Sequence, residues 1–145
     1  MSKTGQPTHA EIMRAFAQWD TALREKDLDA LERCYFPNVV VYDIGTQLVG
    51  FDKLRALWEG CFPYFPNPIG CERKDVQIQA SADIAVATFL SRMSGMESDH
   101  PSARAWIRST ICFRRLEGEW RIFHEHASFP VDCGAEKPTY IFDEA

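Results

Sequence analysis

His124 and His126 stand two residues apart in the run WRIFHEHASF (120–129), with Ser128 two residues further on. In an extended chain alternate residues share a face. Strict alternation therefore predicts Trp120, Ile122, His124, His126 and Ser128 on one side of a strand, and Arg121, Phe123, Glu125, Ala127 and Phe129 on the other. A strand needed only for packing would not require two imidazoles and a hydroxyl beside two large apolar groups. The plainer reading is a hydrogen-bonded pair of core histidines. The preceding run, AWIRSTICFRR (105–115), alternates in the same way and sets Arg108 with Trp106, Thr110, Cys112 and Arg114. Arg108 offers a fork-shaped clamp for a carboxylate or phosphate oxygen, or else a salt bridge to a nearby acid. LEGE, containing Gly118, joins the two runs as a hairpin turn.

Asp43 is the third group suited to chemistry. It closes VVVYDI (39–44), the clearest strand in the chain, β-branched and aromatic. A carboxylate in an apolar pocket becomes a general base because desolvation raises its pKa towards working pH. Equally, Asp43 suits the cap of a turn at Gly45. A His-x-His strand with one carboxylate is also a zinc or iron pattern. The third ligand would have to be Asp43 or Glu125, and Glu125 falls on the opposite face of the strand, so neither a metal nor a cofactor is expected. His9 and His100 fall at a helix start and in a loop and receive no role.

The elements that must position these groups follow from spacing and punctuation. Thr8-His9-Ala10-Glu11 fits a capping box, after which Ile12, Phe16, Trp19 and Leu23 recur at helical spacing to about Lys26. Asp27 caps a second helix predicted from Leu28 to about Phe36, with Leu28, Leu31 and Tyr35 inward, stopped by Pro37-Asn38. Beyond Gly50, Asp52 opens a third helix with Leu54, Leu57, Trp58, Cys61 and Phe62 on one stripe. Pro63, Pro66, Pro68 and Gly70 forbid regular structure over 63–70, a loop whose Tyr64 and Phe65 suggest a lid. Strands are expected over Glu72–Ala80 and Ile84–Met93, then a polar loop to Ser102. The tail after Pro130 carries Tyr140, Ile141 and Phe142, expected to dock on a neighbour. Helices first and a mostly antiparallel sheet after them make an α+β order.

At 145 residues, 46% hydrophobic and 26% charged, the chain is expected to form one domain spanning 1–145, with a core over about 8–131 and a tail over 132–145. A net charge of −5 argues against nucleic acid, which needs a clustered basic surface. No apolar run is long enough to span a membrane, and the first 20 residues lack the apolar stretch of a signal peptide. Five cysteines without a CxxC pair favour plain thiols in a reducing cytoplasm.

This order, with DLDAL entering helix two, VVVYD before a glycine and WRIFHEHAS as the last strand, resembles the SnoaL-like proteins over about residues 8 to 131. These belong to the nuclear transport factor 2-like superfamily, which includes the ketosteroid isomerases. The resemblance implies a cystatin-like cone: a curved, mostly antiparallel sheet wrapped around three helices from the N-terminal half. Such a cone encloses a mostly apolar pocket and is usually a homodimer through the sheet. The isomerases' proton-shuttling aspartate carries over onto Asp43. Their oxyanion-binding tyrosine falls at Trp19 and their second oxyanion acid near Ile111. Trp19 can donate one hydrogen bond and Ile111 none. Losing such a donor costs on the order of 100- to 1000-fold in rate, so the departure argues against steroid isomerisation.

His126 with Ser128 looks like the HxS ending of many SnoaL-like members, and is similar to the end of the association domain of calcium/calmodulin-dependent kinases. The resemblance thus implies a pocket for a small apolar or aromatic compound bearing a carbonyl or carboxylate. If it is an enzyme, it would be a cofactor-free isomerase, cyclase or dehydratase. Asp43 would be the base and His126, helped by His124, the acid. Arg108 and Tyr42 would orient the oxygen, and Trp19, Trp58, Trp106 and Phe62 would supply aromatic walls. The alternative is a non-catalytic dimerisation or ligand-binding module like the kinase association domain.

Overall fold

The computed structural model describes residues 5–143. Its first helix, α1 (Gly5–Arg24), buries Ile12, Phe16, Trp19 and Leu23. It starts three residues before the expected capping box, so Thr8 lies inside the helix and is buried. Glu11 does not reach back to a cap. Its carboxylate accepts from Arg115 at 2.8 Å and from the Trp120 indole at 3.4 Å, charged and aromatic donors from the far end of the chain that a sequence window cannot see. Lys26, with φ of 54°, closes the helix: its amide bonds Leu23 O, and the next amide, Asp27 N, bonds Ala22 O, the double hydrogen bond of a left-handed C-cap. Asp27 then caps α2 (Leu28–Glu32), accepting from Ala30 N at 3.0 Å. The second helix is shorter than expected, because Tyr35 and Phe36 already belong to a strand.

That strand, β1 (Tyr35–Tyr42), pairs with β2 (Gln47–Val49), and α3 (Phe51–Cys61) packs against β1. The hairpin β3 (Gly70–Ala80) and β4 (Ile84–Ser94) and the hairpin β5 (Ile107–Leu116) and β6 (Glu119–Ser128) follow. The six strands form one curved sheet in the order β2-β1-β6-β5-β4-β3, antiparallel throughout except where β1 runs parallel to β6. The fold is α+β, with α1 and α3 seated in the concave face. There Phe16 meets Phe89 and Phe113 edge-on, with ring centroids 5.3 and 5.5 Å away, a geometry favoured by the aromatic quadrupole. Glu117 and Gly118, with φ of 53° and 81°, make the two-residue turn between β5 and β6; two positive φ values in succession define the tight hairpin turn that Gly best tolerates.

Two irregularities decide which side chains face the helices. Against β5, Ile122 pairs with Phe113 but His124 pairs with Cys112, leaving Phe123 as the extra residue of a β-bulge. A one-residue insertion moves every later side chain to the other face. Trp120 and Ile122 are buried inward, while beyond the bulge Glu125 and Ala127 face in and His124, His126 and Ser128 face out. In β1 the register also shifts between Tyr35 and Val40, across exposed Pro37 and Asn38. Proline has no N–H for the ladder.

The segment 63–70 is anchored rather than poised as a lid. Phe65 and Ile69 are buried at 4% and 1% exposure, and Lys26 Nζ donates to Phe65 O; Tyr64 and the prolines are exposed. Gly95, at φ of 99°, lets Pro68 O approach to within 2.4 Å of where a Cβ would stand, which clamps the same segment. The tail docks on its own chain: Trp106 N bonds Ile141 O, and Asp143 takes the Trp106 indole N–H at 2.8 Å and an Arg92 N–H at 3.1 Å. All five cysteines are free thiols. Among the described residues no helix is long and apolar enough to cross a membrane.

Candidate functional site

Between α1, α3 and the inner faces of β1 and β6 lies a cavity of about 100 Å³. Leu54, Leu57, Trp58 and Cys61 wall it from α3, because helical spacing turns all four to one side, and Val41 walls it from β1. Glu125, Tyr35 and Asp43 bring polar atoms to this apolar space.

Glu125 is held there by the bulge at Phe123. Its Oε1 stands 2.6 Å from Tyr35 Oη, which in turn accepts from Trp19 Nε1 at 2.9 Å. Solvent reaches part of the residue, yet the carboxyl is ringed by protein. That desolvation pushes its pKa up to about 7; the Tyr35 hydrogen bond pulls it down and the Asp43 charge adds to the rise. Burial holds the Tyr35 hydroxyl well above its ordinary pKa, and the Glu125 charge adds to this. Asp43 sits at the cavity mouth, exposed as a residue, in the turn closed by its own amide on Thr46 O at 2.8 Å. Protein on the inner side of its carboxyl raises its pKa, and the Ile44 amide opposes that. The Cys61 thiol is also raised, by burial and then by the Asp43 charge. The cavity thus joins a carboxyl whose proton is held far above the ordinary carboxylate range, up to about pH 7, with a second, more exposed carboxyl at the rim.

Trp19, Trp58 and Asp43 come together around this cavity. His124 and His126 do not join them, contrary to strict alternation, because the bulge turns them to the outer face. There His124 Nδ1 donates to Val40 O at 2.8 Å, and the Tyr42 ring stands edge-on to both imidazoles at 5.1 and 5.8 Å. Tyr42 also borders the cavity mouth. Arg108 is on the outer face too, donating to Ser128 Oγ at 3.2 Å, with no ion-pair partner among the described residues. Trp106 lies under the tail, with the Arg92 and Lys74 cations each 4.3 Å from its ring centre; it does not line this cavity. Phe62 packs beside Trp58 at 6.1 Å, one layer behind the cavity wall. Among the described residues no group of three or more His, Cys, Asp or Glu is placed to hold a metal ion.

The sequence suggests Glu125 only as a candidate metal ligand and Tyr35 only as an inward residue of helix two, and assigns neither to the pocket. The available signal was weak: a carboxylate between two histidines, on whichever face the histidines do not occupy. Ile111, the position of the family's second oxyanion acid, is buried and stands directly opposite Glu125 across the β5–β6 ladder. A carboxylic acid thus occurs one strand away from where the resemblance sought it.

A family model described as a SnoaL-like domain matches residues 12–132, and the chain belongs to that family. Its fold is that of an NTF2-like protein of unknown function from Pseudomonas putida KT2440, which is 27% identical over 97% of this chain and 99% of that one, with a TM-score of 0.83. A cystatin-like fold protein from Burkholderia xenovorans is 21% identical over 93% and 92%, at 0.64. An NTF2-like protein from Streptomyces avermitilis, provisionally called a dehydratase, is 18% identical over 86% and 96%, at 0.68. No curated protein matches the chain in sequence.

Proposed function

We propose that the protein is a cofactor-free acid–base enzyme that moves a proton at a carbon next to a carbonyl, isomerising or dehydrating a small substrate. The observation that carries this reading is Glu125, a carboxylic acid kept neutral to about pH 7 in an apolar cavity, with the Asp43 carboxyl at the rim. A neutral acid in such a place can donate a hydrogen bond to a carbonyl oxygen, and a neighbouring ionised carboxylate can serve as base. Asp43 takes the α-proton while Glu125 gives its proton to the carbonyl oxygen, forming a neutral enol. Return of one proton to a different carbon and the other to Glu125 completes an isomerisation. Loss of a β-hydroxyl as water, with the same two protons accounted for, completes a dehydration. The provisional name of the Streptomyces avermitilis protein is consistent with the second outcome.

Size narrows the substrate. A cavity of about 100 Å³ equals roughly three water molecules of liquid volume, well below the 300–1,000 Å³ of ordinary ligand pockets. It admits a carbonyl head with a few carbons; anything larger must extend past Asp43 and Tyr42. Incubation with cyclohex-3-en-1-one or 4-hydroxybutan-2-one in D2O, followed by NMR, tests the reading. Protein-dependent deuterium uptake at the α-carbon is expected, reduced on the order of 100- to 1000-fold in Asp43→Asn and in Glu125→Gln. Uptake no faster than buffer, or equal in both variants, would reject it.

A second copy of the chain is the partner we assign to the outer face of the sheet. Register aligns Val40, His124, Cys112 and Val86 in one row and Tyr42, His126, Thr110 and Thr88 in the next. Eight side chains without a carboxylate, lysine or arginine, four strands wide, are unusual on the open face of a chain that is 26% charged. Sedimentation should give a dimer at micromolar concentration, and Thr110→Glu should yield a folded monomer. A wild-type monomer at that concentration defeats the assignment.

A further inference from the structure

Trp19, Tyr35 and Glu125 form one hydrogen-bonded line, and the directions within it are not free. An indole N–H can only donate, so Trp19 Nε1, 2.9 Å away, occupies one acceptor position of Tyr35 Oη. A phenolic proton lies near the ring plane on one side of the oxygen or the other, and the Trp19 side is taken. The Tyr35 proton therefore points along the 2.6 Å contact to Glu125 Oε1. In a neutral carboxylic acid the carbonyl oxygen is the strong acceptor and the hydroxyl oxygen a weak one, so a contact this short favours the acid's own proton on the other oxygen. Glu125 Oε2 makes no hydrogen bond among the described residues, and Glu125 lines the cavity. We infer that Trp19 and Tyr35 are positioning residues that place the proton of neutral Glu125 on Oε2, the oxygen left free for a ligand in the cavity.

This rests on reading Glu125 as the acid of the site, and it explains two departures from the family pattern together. The tryptophan at position 19 does not offer its hydrogen bond to the cavity; it spends it on Tyr35. The donor that a ligand meets is then Glu125, opposite Ile111. The other groups facing Glu125 do not compete for its proton position. Asp43, beyond β1, is a like charge that favours the neutral acid, Cys61 from α3 is a thiol with a raised pKa, and β5 presents only Ile111. The Arg73–Asp20 ion pair lies on the far side of Trp19, with the guanidinium 5.5 Å from its ring.

The test needs no substrate. In protein labelled with 13C in glutamate side chains, one carboxyl should titrate near pH 7 and vanish in Glu125→Gln. Tyr35→Phe removes the hydrogen bond that favours the ionised form, so that titration should move up by about one pH unit. Trp19→Phe should move it less in the same direction, because an undonated phenol is a weaker donor. Infrared spectra at pH 5 report the proton's position. If Oε1 is the carbonyl oxygen, Tyr35→Phe frees it and its C=O band rises in wavenumber. A band and titration unmoved by Tyr35→Phe, or a downward shift in Trp19→Phe, would overturn the inference. Should the bands shift while neither carbonyl probe exchanges deuterium, the proton placement stands and the enzymatic reading falls. Exchange without the shifts gives the reverse.

Discussion

Asp20→Ala should destabilise the protein by about 3 kcal/mol, read as a lower urea midpoint at unchanged denaturant slope. Arg73 projects inward from β3 with its side chain only 11% exposed. Its two terminal nitrogens bond the two oxygens of Asp20 at 2.9 and 2.8 Å, and its guanidinium lies 4.4 Å above the Phe16 ring and 5.5 Å from those of Trp19 and Phe89. Its Nε is buried without a partner. Asp20 is therefore the counter-charge that makes an arginine tolerable inside the cone. Removing it leaves an uncompensated buried cation, which costs far more than the pair itself contributes. Asp20, at 30% exposure, leaves solvent some access to the guanidinium, so the lower end of the usual 3–5 kcal/mol applies. The double variant Asp20→Ala/Arg73→Met should regain most of the loss, because no charge then remains to be desolvated. A double variant as unstable as the single one would show that the pair matters for its shape and not its charge.

Glu125→Gln should flatten the pH dependence of stability. A carboxyl raised from an ordinary 4.5 to about 7 binds its proton more tightly in the folded chain than in the unfolded one. Its favourable contribution is complete below about pH 4.5 and disappears as pH rises through about 7, because the unfolded chain ionises freely while the folded one resists. A separation of that size corresponds to about 3 kcal/mol. Asp43, also raised, adds in the same direction. Melting temperatures between pH 5 and pH 8 should therefore fall in the wild type. Those of Glu125→Gln should change less and exceed the wild type at pH 8 by several degrees, since a glutamine carbonyl still accepts from Tyr35 and never ionises. Parallel curves would mean that Glu125 is ionised in the folded protein at neutral pH, which would remove the acid from the proposed chemistry as well. A protein that keeps a carboxyl at such a cost to its own stability keeps it where activity commonly resides.

The sequence by itself determined the order of the helices and of the long strands, though not the short β2, and most of what each buries. Ile12, Phe16, Trp19 and Leu23 are at the core because a 3.6-residue period leaves them one face. Asp27 caps α2 because its carboxylate reaches an amide three residues on. Gly118 marks the hairpin because its partner strands need a turn at positive φ. All of these are local, with cause and effect within a few residues. Tertiary structure decided the rest. Glu11 was drawn from its expected cap by Arg115 and Trp120, and Trp106 was taken from the pocket by Asp143 and two cations.

The site itself depended on one residue of register. From the turn at Gly118, an unbroken ladder would set His124 opposite Ile111 and send both histidines into the cone. The bulge at Phe123 sets Glu125 there instead. Nothing in WRIFHEHASF announces that insertion, because a bulge is stabilised by what both neighbouring strands offer: β1 already loses a ladder partner at Pro37, and Arg114 covers the displaced Phe123 ring from β5 at 5.6 Å. Alternation identified the two sets of side chains on this strand, and only the packing of β1 and β5 against it decided which set meets the cavity.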